Sequence, residues 1–388
     1  MDTVVKKRSW VRILLRTVLI IVGIPIAGIA LLIALLYVPP VQNAVVEKTC
    51  RVVGEKTGYD IEIGSIYLAF PLKLKVADYR MSKNDSTYVL GERFDANISL
   101  LPLFTGKVEV NYISLEQVDI DTRDMLEAVA VEGKVGYARV VARDADIAQS
   151  VANIRQLHIA DTDLNITLAD TTSSEESAPL EWVIKLHKGY IKNSDIGICM
   201  PHDTLSAKIY IGKMLLGRGK IDLQNGSFAL KRFALMNSNV QYDKGSLSAK
   251  QAPLDHITLN GIEARANMLR FASINDISAN LTQLTLEQPG GIAITDAAAH
   301  LTSRNDTLQL HSLKVDSRNG SRVRAQAVIP HKALKNPKEE RLTAELYAEL
   351  HKPDIAGFVT PQVYDGLHYF NSKMLNADIR LSGNAQRI

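Results

Sequence analysis

Four groups of residues have types and spacings that chemistry could use. Asp119 with Asp121, and Asp161 with Asp163, are carboxylate pairs two positions apart. Paired carboxylates do acid–base work when they converge in a pocket. These alternate with apolar residues, and a spacing of two sets them along the wet face of a strand. The stretch GKMLLGRGK from Gly212 has the glycines of a phosphate loop. Such a loop needs Lys and then Ser or Thr directly after its second glycine. Here Arg218 and Gly219 follow Gly217, so the stretch reads as a glycine-rich strand end. None of the nine histidines forms H-x-x-x-H or stands beside a spaced set of Cys or carboxylates. They are expected at surfaces and strand ends. Cys50 and Cys199 make neither a disulfide framework nor a metal site; 149 positions apart, they are expected not to be bonded to each other. No G-x-S-x-G elbow occurs. The expectation is a protein that is not an enzyme, with no catalytic residues, metal or cofactor.

The elements that would position any site begin with the N-terminus. Residues 18–38 are 21 positions without a charge, among them Val18, Leu19, Ile20, Ile21, Ile24, Ile29, Leu31, Leu32, Leu35 and Leu36. At about 1.5 Å per residue this run crosses a bilayer core of about 30 Å, and Pro25 is tolerated in such a helix. The stub 1–17 carries Lys6, Lys7, Arg8, Arg12 and Arg16 against Asp2. The positive-inside rule keeps it cytoplasmic and exports the chain beyond Pro39. The run exceeds the roughly 7–15 residues of a cleaved leader's apolar core, and ALLYVPP lacks a small-residue cleavage site, so an uncleaved signal anchor is expected. Residues 41–58 then place Val41, Val45 and Val52 on one face of a short amphipathic helix.

From Tyr59 the period is mostly two. In KVEVNYISLEQVDID, from Lys107 to Asp121, apolar residues alternate, then shift phase at Ile113 and again at Val118. The same two-part phrase recurs at Leu157/Ile159 with Leu164/Ile166, at Phe233/Leu235 with Val240/Tyr242, and at Leu284/Leu286 with Ile292/Ile294. Its spacing is too irregular for a fixed-period solenoid. Asn225-Gly226, Asn260-Gly261 and Asn319-Gly320 stand between alternating runs and predict three hairpins of an antiparallel meander. Short helices are expected at Met125–Val131 and Asp146–Ile154. Residues 170–179 read as a solvated loop, 331–341 as a charged break, and Lys352–Gly366 as a loop with helical turns. The β pattern resumes past a soft boundary near residue 330. With 46 % hydrophobic and 22 % charged residues the 388-residue chain is a folded protein, and 45 basic against 42 acidic residues give no reason to expect nucleic acid.

Strands with one apolar face either pack in pairs as a sandwich or line an open groove, and the residue pattern leaves the two even. The segments GYDIEIGSIYLAFPLKLKVADYRMSKND (58–85), NISLLPLFTGKVEVNYISLEQVDIDT (97–122) and HKPDIAGFVTPQVYDGL with LNADIRLSGNA (351–367, 375–385) resemble TamB and other AsmA-like proteins. The stretch Ile98–Ile120, with Pro102 and Gly106, is the most specific part. The resemblance implies a mainly β fold: a long antiparallel meandering sheet curled into an open apolar groove, a β-taco, over residues 59–330. Residues 331–388 would continue it, as the N-terminal portion of a longer chain. It also implies a single-pass inner-membrane protein with its bulk in the periplasm of a diderm bacterium, moving phospholipids between inner and outer membrane in outer membrane biogenesis. The alternative it implies is a component of a translocation and assembly module, a scaffold or chaperone for autotransporter insertion beside an Omp85-type, TamA-like partner. The expected groove lining is Val108, Val110, Ile113, Leu115, Val118, Ile120, Leu157, Ile159, Leu164, Ile166, Ile221, Leu223, Phe228, Leu230, Ile257 and Leu259. About 20 strands at about 4.8 Å each would give a trough near 100 Å long.

Overall fold

The computed structural model describes residues 58–99, 109–123, 129–146, 150–168, 182–245, 252–335, 341–366 and 374–383, with Pro40 and Ser248. The stub, the expected anchor at 18–38, Cys50, Val108 and the loop at 170–179 lie outside them, as does nearly all of 41–58. No helix of the described residues is long and apolar enough to cross a membrane.

The described chain is one long sheet. Its strands are β1 (Asp60–Ala69), β2 (Lys73–Lys83), β3 (Ser86–Ile98), β4 (Val110–Asp121), β5 (Val129–Asp146), β6 (Val151–Leu168), β7 (Val183–Leu186), β8 (Gly189–Met200) and β9 (Leu205–Leu216). They continue with β10 (Gly219–Asp222), β11 (Ser227–Lys244), β12 (His256–Ser273), β13 (Asp276–Glu287), β14 (Ala293–Arg304), β15 (Thr307–Ser317), β16 (Arg322–Pro330), β17 (Leu342–His351) and β18 (Met374–Gly383). Short helices α1 (His331–Lys335), α2 (Lys352–Ile355) and α3 (Pro361–Gly366) lie in the connections around β17.

The pairing closes a cycle of six strands, β6–β7–β10–β11–β9–β8. The registers show that this cycle lies within a single sheet. Val151 pairs with Val183 of β7 and Leu157 with Gly189 of β8, a constant offset of 32. Gly189 pairs with Leu216 of β9 and Leu186 with Gly219 of β10, again in one register. So β7 and β8 are one strand interrupted at His187-Lys188, and β9 and β10 are one strand interrupted at Gly217-Arg218. Backbone bonds bridge the breaks: His187 N–H donates to Ile154, and Gly217 N–H to Arg232.

Several expectations need correction. The meander is not wholly antiparallel, because β6 pairs parallel to β7 and β8. The eighteen strands occupy sixteen positions, so the sheet runs about 70 Å at about 4.8 Å per step, short of 100 Å. Asn225-Gly226 and Asn319-Gly320 do turn hairpins, but Asn260-Gly261 lies in mid-strand on β12, with Gly261 at φ 59°. Neither expected early helix forms in its described part. Val129–Val131 pair with Ile166–Leu168, and Val151–Ile154 lie between β5 and β7; pairing with neighbours overrides a weak helical pattern. The sheet continues unbroken past residue 330, where β15 pairs with β16 and β16 with β17.

Candidate functional site

The phase shifts of the sequence have one main structural cause. Asp78 on β2, Gln117 on β4, Asp161 on β6, Asn193 on β8 and Asn237 on β11 each take a positive φ in mid-strand, between 45° and 53°. The registers place them in one row across the sheet, with Gly64, Glu92, Gly136 and Gly212 on the strands between. A left-handed residue breaks the two-residue alternation and bends the strand, as a bulge does. The glycines let the neighbouring backbone come close: a Cβ on Gly136 would lie 2.3 Å from the Asp161 carbonyl oxygen.

At this row the apolar phase switches, and the switch keeps apolar residues on one face. On β4, Ile113 and Leu115 precede Gln117, while Val118 and Ile120 come after it. Pairing carries both halves across the sheet: Leu115 with Phe94 and Ala138, and Leu164 with Gly133 and Ile196. Just past the row, Val118, Val135, Thr162, Ser194, Ile211 and Ser238 are all buried. The row itself faces water at Asp78, Glu92, Asp161, Asn193 and Asn237. Side chains inside a bend are crowded and those outside are exposed, so the sheet is creased with its apolar face concave. The hydroxyls in the crease are spoken for: Thr162 donates to the Ala160 carbonyl, Ser194 to that of Lys192 and Ser238 to that of Met236.

Among the described residues no second layer packs on this face; α1 and α2 reach it only at strand ends, where His331 bonds Ser303 and Asp354 bonds Ser317. Among the described residues fourteen buried ones are apolar; eight are alanines and none is Leu, Met, Phe or Trp. A sandwich would seal its large inward side chains between two sheets. Here Ile159, Leu164, Ile196, Ile209 and Val240 stay only half-buried.

No protein-family model and no curated protein matches the sequence. The chemistry open to the site is therefore set by its geometry.

Val110, Ile113, Leu115, Val118, Ile120, Leu157, Ile159, Leu164, Ile166, Ile257 and Leu259 all lie on the concave face. Val110 pairs with Ile98, and an extra residue on β4 turns Asn111 outward to Asn97 and Ser99. Ile221, Phe228 and Leu230 share the face beyond a second crease, which runs through His187-Lys188, Gly217-Arg218 and Lys231-Arg232. There the apolar phase steps from Ile154 to Leu157 on β6 and from Leu230 to Phe233 on β11. Leu223 sits past the end of β10, in the turn.

The outer face holds the charge. Arg93 meets Glu116 at 2.8 Å, and the Arg324 guanidinium at 2.6 Å from Asp316 holds that carboxyl below its ordinary range. The carboxylate pairs do not converge on a pocket: Asp121 is bound by Arg123, which lowers its pKa, and Asp161 accepts from Asn193. No three metal-ligating side chains group together among the described residues. One buried polar atom on the apolar face lacks a partner among the described residues. The ring of Tyr79 packs over Gly91, its hydroxyl has no hydrogen-bond partner, and burial raises its pKa. The creases themselves were not read from the sequence. A usable signal is Asp or Asn before Ser or Thr where the alternation slips: Asp161-Thr162, Asn193-Ser194 and Asn237-Ser238.

Proposed function

We propose that the concave face is a trough for phospholipid acyl chains, and that the protein carries lipid between the inner and outer membranes. In this reading residues 18–38 anchor it in the inner membrane and the sheet stands in the periplasm, as the likeness to TamB and AsmA-like proteins implies. The observation that carries the reading is the uncovered, concave apolar face continuing from strand to strand. Two acyl chains expose about 30 methylenes to water at about 0.8 kcal/mol each, and a trough removes most of that cost while leaving head groups wet. Lipid must also move along it. Half-buried Ile, Leu and Val with no charge among them give weak, even affinity at every step, whereas a sharp site would trap lipid. A photo-crosslinking residue at Leu164 should capture phospholipid and one at Asp163 should not. Folded protein that captures none at Leu164 would reject the trough.

A second reading, a holder of outer-membrane client strands beside an Omp85-type partner, is favoured by one observation. Among the described residues β1 pairs only with β2 and β18 only with β17, so each offers an edge for strand addition. Crosslinks from Ile61 on β1 or Ile379 on β18 to a barrel protein, with no lipid captured at Leu164, would select it.

A further inference from the structure

The two creases differ in charge. Outward on the first stand Asp78, Glu92 and Asp161, with no cation. Outward on the second stand Arg155, Lys188, Arg218, Lys231 and Arg232, exposed and on successive strand positions from β6 to β11. None of these five has an ion-pair partner among the described residues, and the carboxylates beyond them are engaged, Asp222 by Lys220 and Asp276 by Arg270. Neighbouring strands lie about 4.8 Å apart, so the cations form a close row. At one end of the row Arg155, Lys185, His187 and Arg218 line a depression of about 870 Å³ with no described carboxylate in its wall.

Beyond this row β10 and β11, with the neighbouring β12, end in exposed apolar residues. Ile221, Phe228 and Phe271 are 42 %, 45 % and 40 % exposed, and the two phenylalanine rings stack at 6.2 Å. Ile274, in the β12–β13 turn, is 53 % exposed. Phe228 precedes Lys231 and Arg232 by three and four residues, about 10–13 Å at about 3.3 Å per residue. That separation is long enough for an apolar edge to sit about 5–10 Å into the headgroup–acyl boundary with the basic residues still level with the phosphates.

We propose that this rim and its basic crease form a docking edge for the surface of an anionic phospholipid membrane. Two parallel bands, one apolar and one cationic, fit an amphiphilic surface; an acidic polypeptide would complement only the cationic band. The inference goes beyond the trough reading and concerns where the protein touches a membrane, whatever the trough carries.

The test anchors the full chain in phosphatidylcholine nanodiscs and measures its capture of acceptor vesicles by flotation. Vesicles containing phosphatidylglycerol should be captured, pure phosphatidylcholine vesicles far less, and added salt should weaken capture. A Lys or Arg near an anionic surface is worth about 1 kcal/mol, or about fivefold. The triple variant Arg218→Gln, Lys231→Gln, Arg232→Gln should therefore lose roughly a hundredfold. These side chains are exposed, so its melting curve should match the parent, and crosslinking of lipid at Leu164 should be unchanged. Phe228→Ser with Phe271→Ser should keep the salt dependence but weaken capture. Equal capture of both vesicle types, or a triple variant that binds like the parent, overturns the proposal. So does an acidic protein that binds the crease while vesicles do not.

Discussion

Replacing Gly212 with alanine tests whether the first crease is a close-packed device. Gly212 has no positive φ, so alanine meets no conformational objection there. The obstacle is space: its Cβ would lie 2.3 Å from the Asn237 carbonyl oxygen and 3.0 Å from both the carbonyl carbon and the Cβ of Asn237. These atoms belong to a left-handed residue locked in the crease and cannot rotate away. Relief requires β9 and β11 to part by about 1 Å, which strains the bond from Gly212 N–H to Ser238 Oγ, now 3.2 Å. Overpacking costs about 1–3 kcal/mol and a weakened hydrogen bond about 1 kcal/mol more, so Gly212→Ala should destabilise by about 2–4 kcal/mol. The control is Gly226→Ala in the β10–β11 turn. That site has φ +58° but nothing within 4 Å, so only the left-handed conformation, about 1–2 kcal/mol, is at stake. In an elongated sheet the loss is local, so hydrogen exchange is the assay. Amides of β9 and β11 flanking the crease should exchange faster in Gly212→Ala, and those of β15 to β17 should not change. If Gly226→Ala costs more, or Gly212→Ala protects β9 and β11 like the parent, the argument for close approach fails.

Ile196→Arg should leave a folded protein with circular dichroism like the parent, because a trough wall lets the guanidinium reach water, but it should abolish lipid crosslinking at Leu164. In a sealed core it would bury an unpaired charge at several kcal/mol, and the folded protein would fail to accumulate in the membrane fraction. Asp354, 2 % exposed, accepts hydrogen bonds from Ser317, Ser321 and Asn319 and so ties α2 to the β15–β16 hairpin. Asp354→Ala strands three donors and should cost about 2–4 kcal/mol, read as faster amide exchange in residues 352–366. The Asp316 carboxyl has its pKa lowered from 3.8 by its hydrogen bond with Arg324. Its stabilisation is therefore present above that ordinary value and lost as pH falls through the lowered one. Asp316→Asn should flatten that part of an acid titration of stability; an unchanged acid slope would refute it. Cys199 is exposed and should take a maleimide label in the native protein, whereas a peptide linking it to Cys50 would overturn the expectation that the two are unbonded.

The existence of the strands was legible because β-branched residues at a period of two have few other uses, and the face assignments of the expected lining residues came from the same pattern. The parallel step at β6 was not legible. Parallel and antiparallel neighbours present the same alternation, and the connection that distinguishes them is not encoded in the strand sequence. Asn260-Gly261 misled for a related reason. A hairpin and a mid-strand bulge both need a positive φ, and only the pairing partner, here Asn239 accepting from Gly261 N–H, separates them. The slips in phase were visible, but read strand by strand they looked like noise in a repeat.

Their alignment is a property of the sheet. Once one strand bends at a left-handed residue, its neighbour must bend at the partner position or give up ladder hydrogen bonds there. Each strand therefore needs only one tolerant residue at one register position. Asn and Asp bond locally and visit that conformation at modest cost, and glycine makes room opposite them. Gln117 has no such help, so its place in the row points to the constraint from β3 and β5 rather than to local preference. Because strand and turn lengths vary, the distance in sequence between these residues varies too: 39 from Asp78 to Gln117, 44 to Asp161, 32 to Asn193 and 44 to Asn237. A straight crease in space thus leaves no fixed period in the chain. The concave face is specified by register, with no repeating motif.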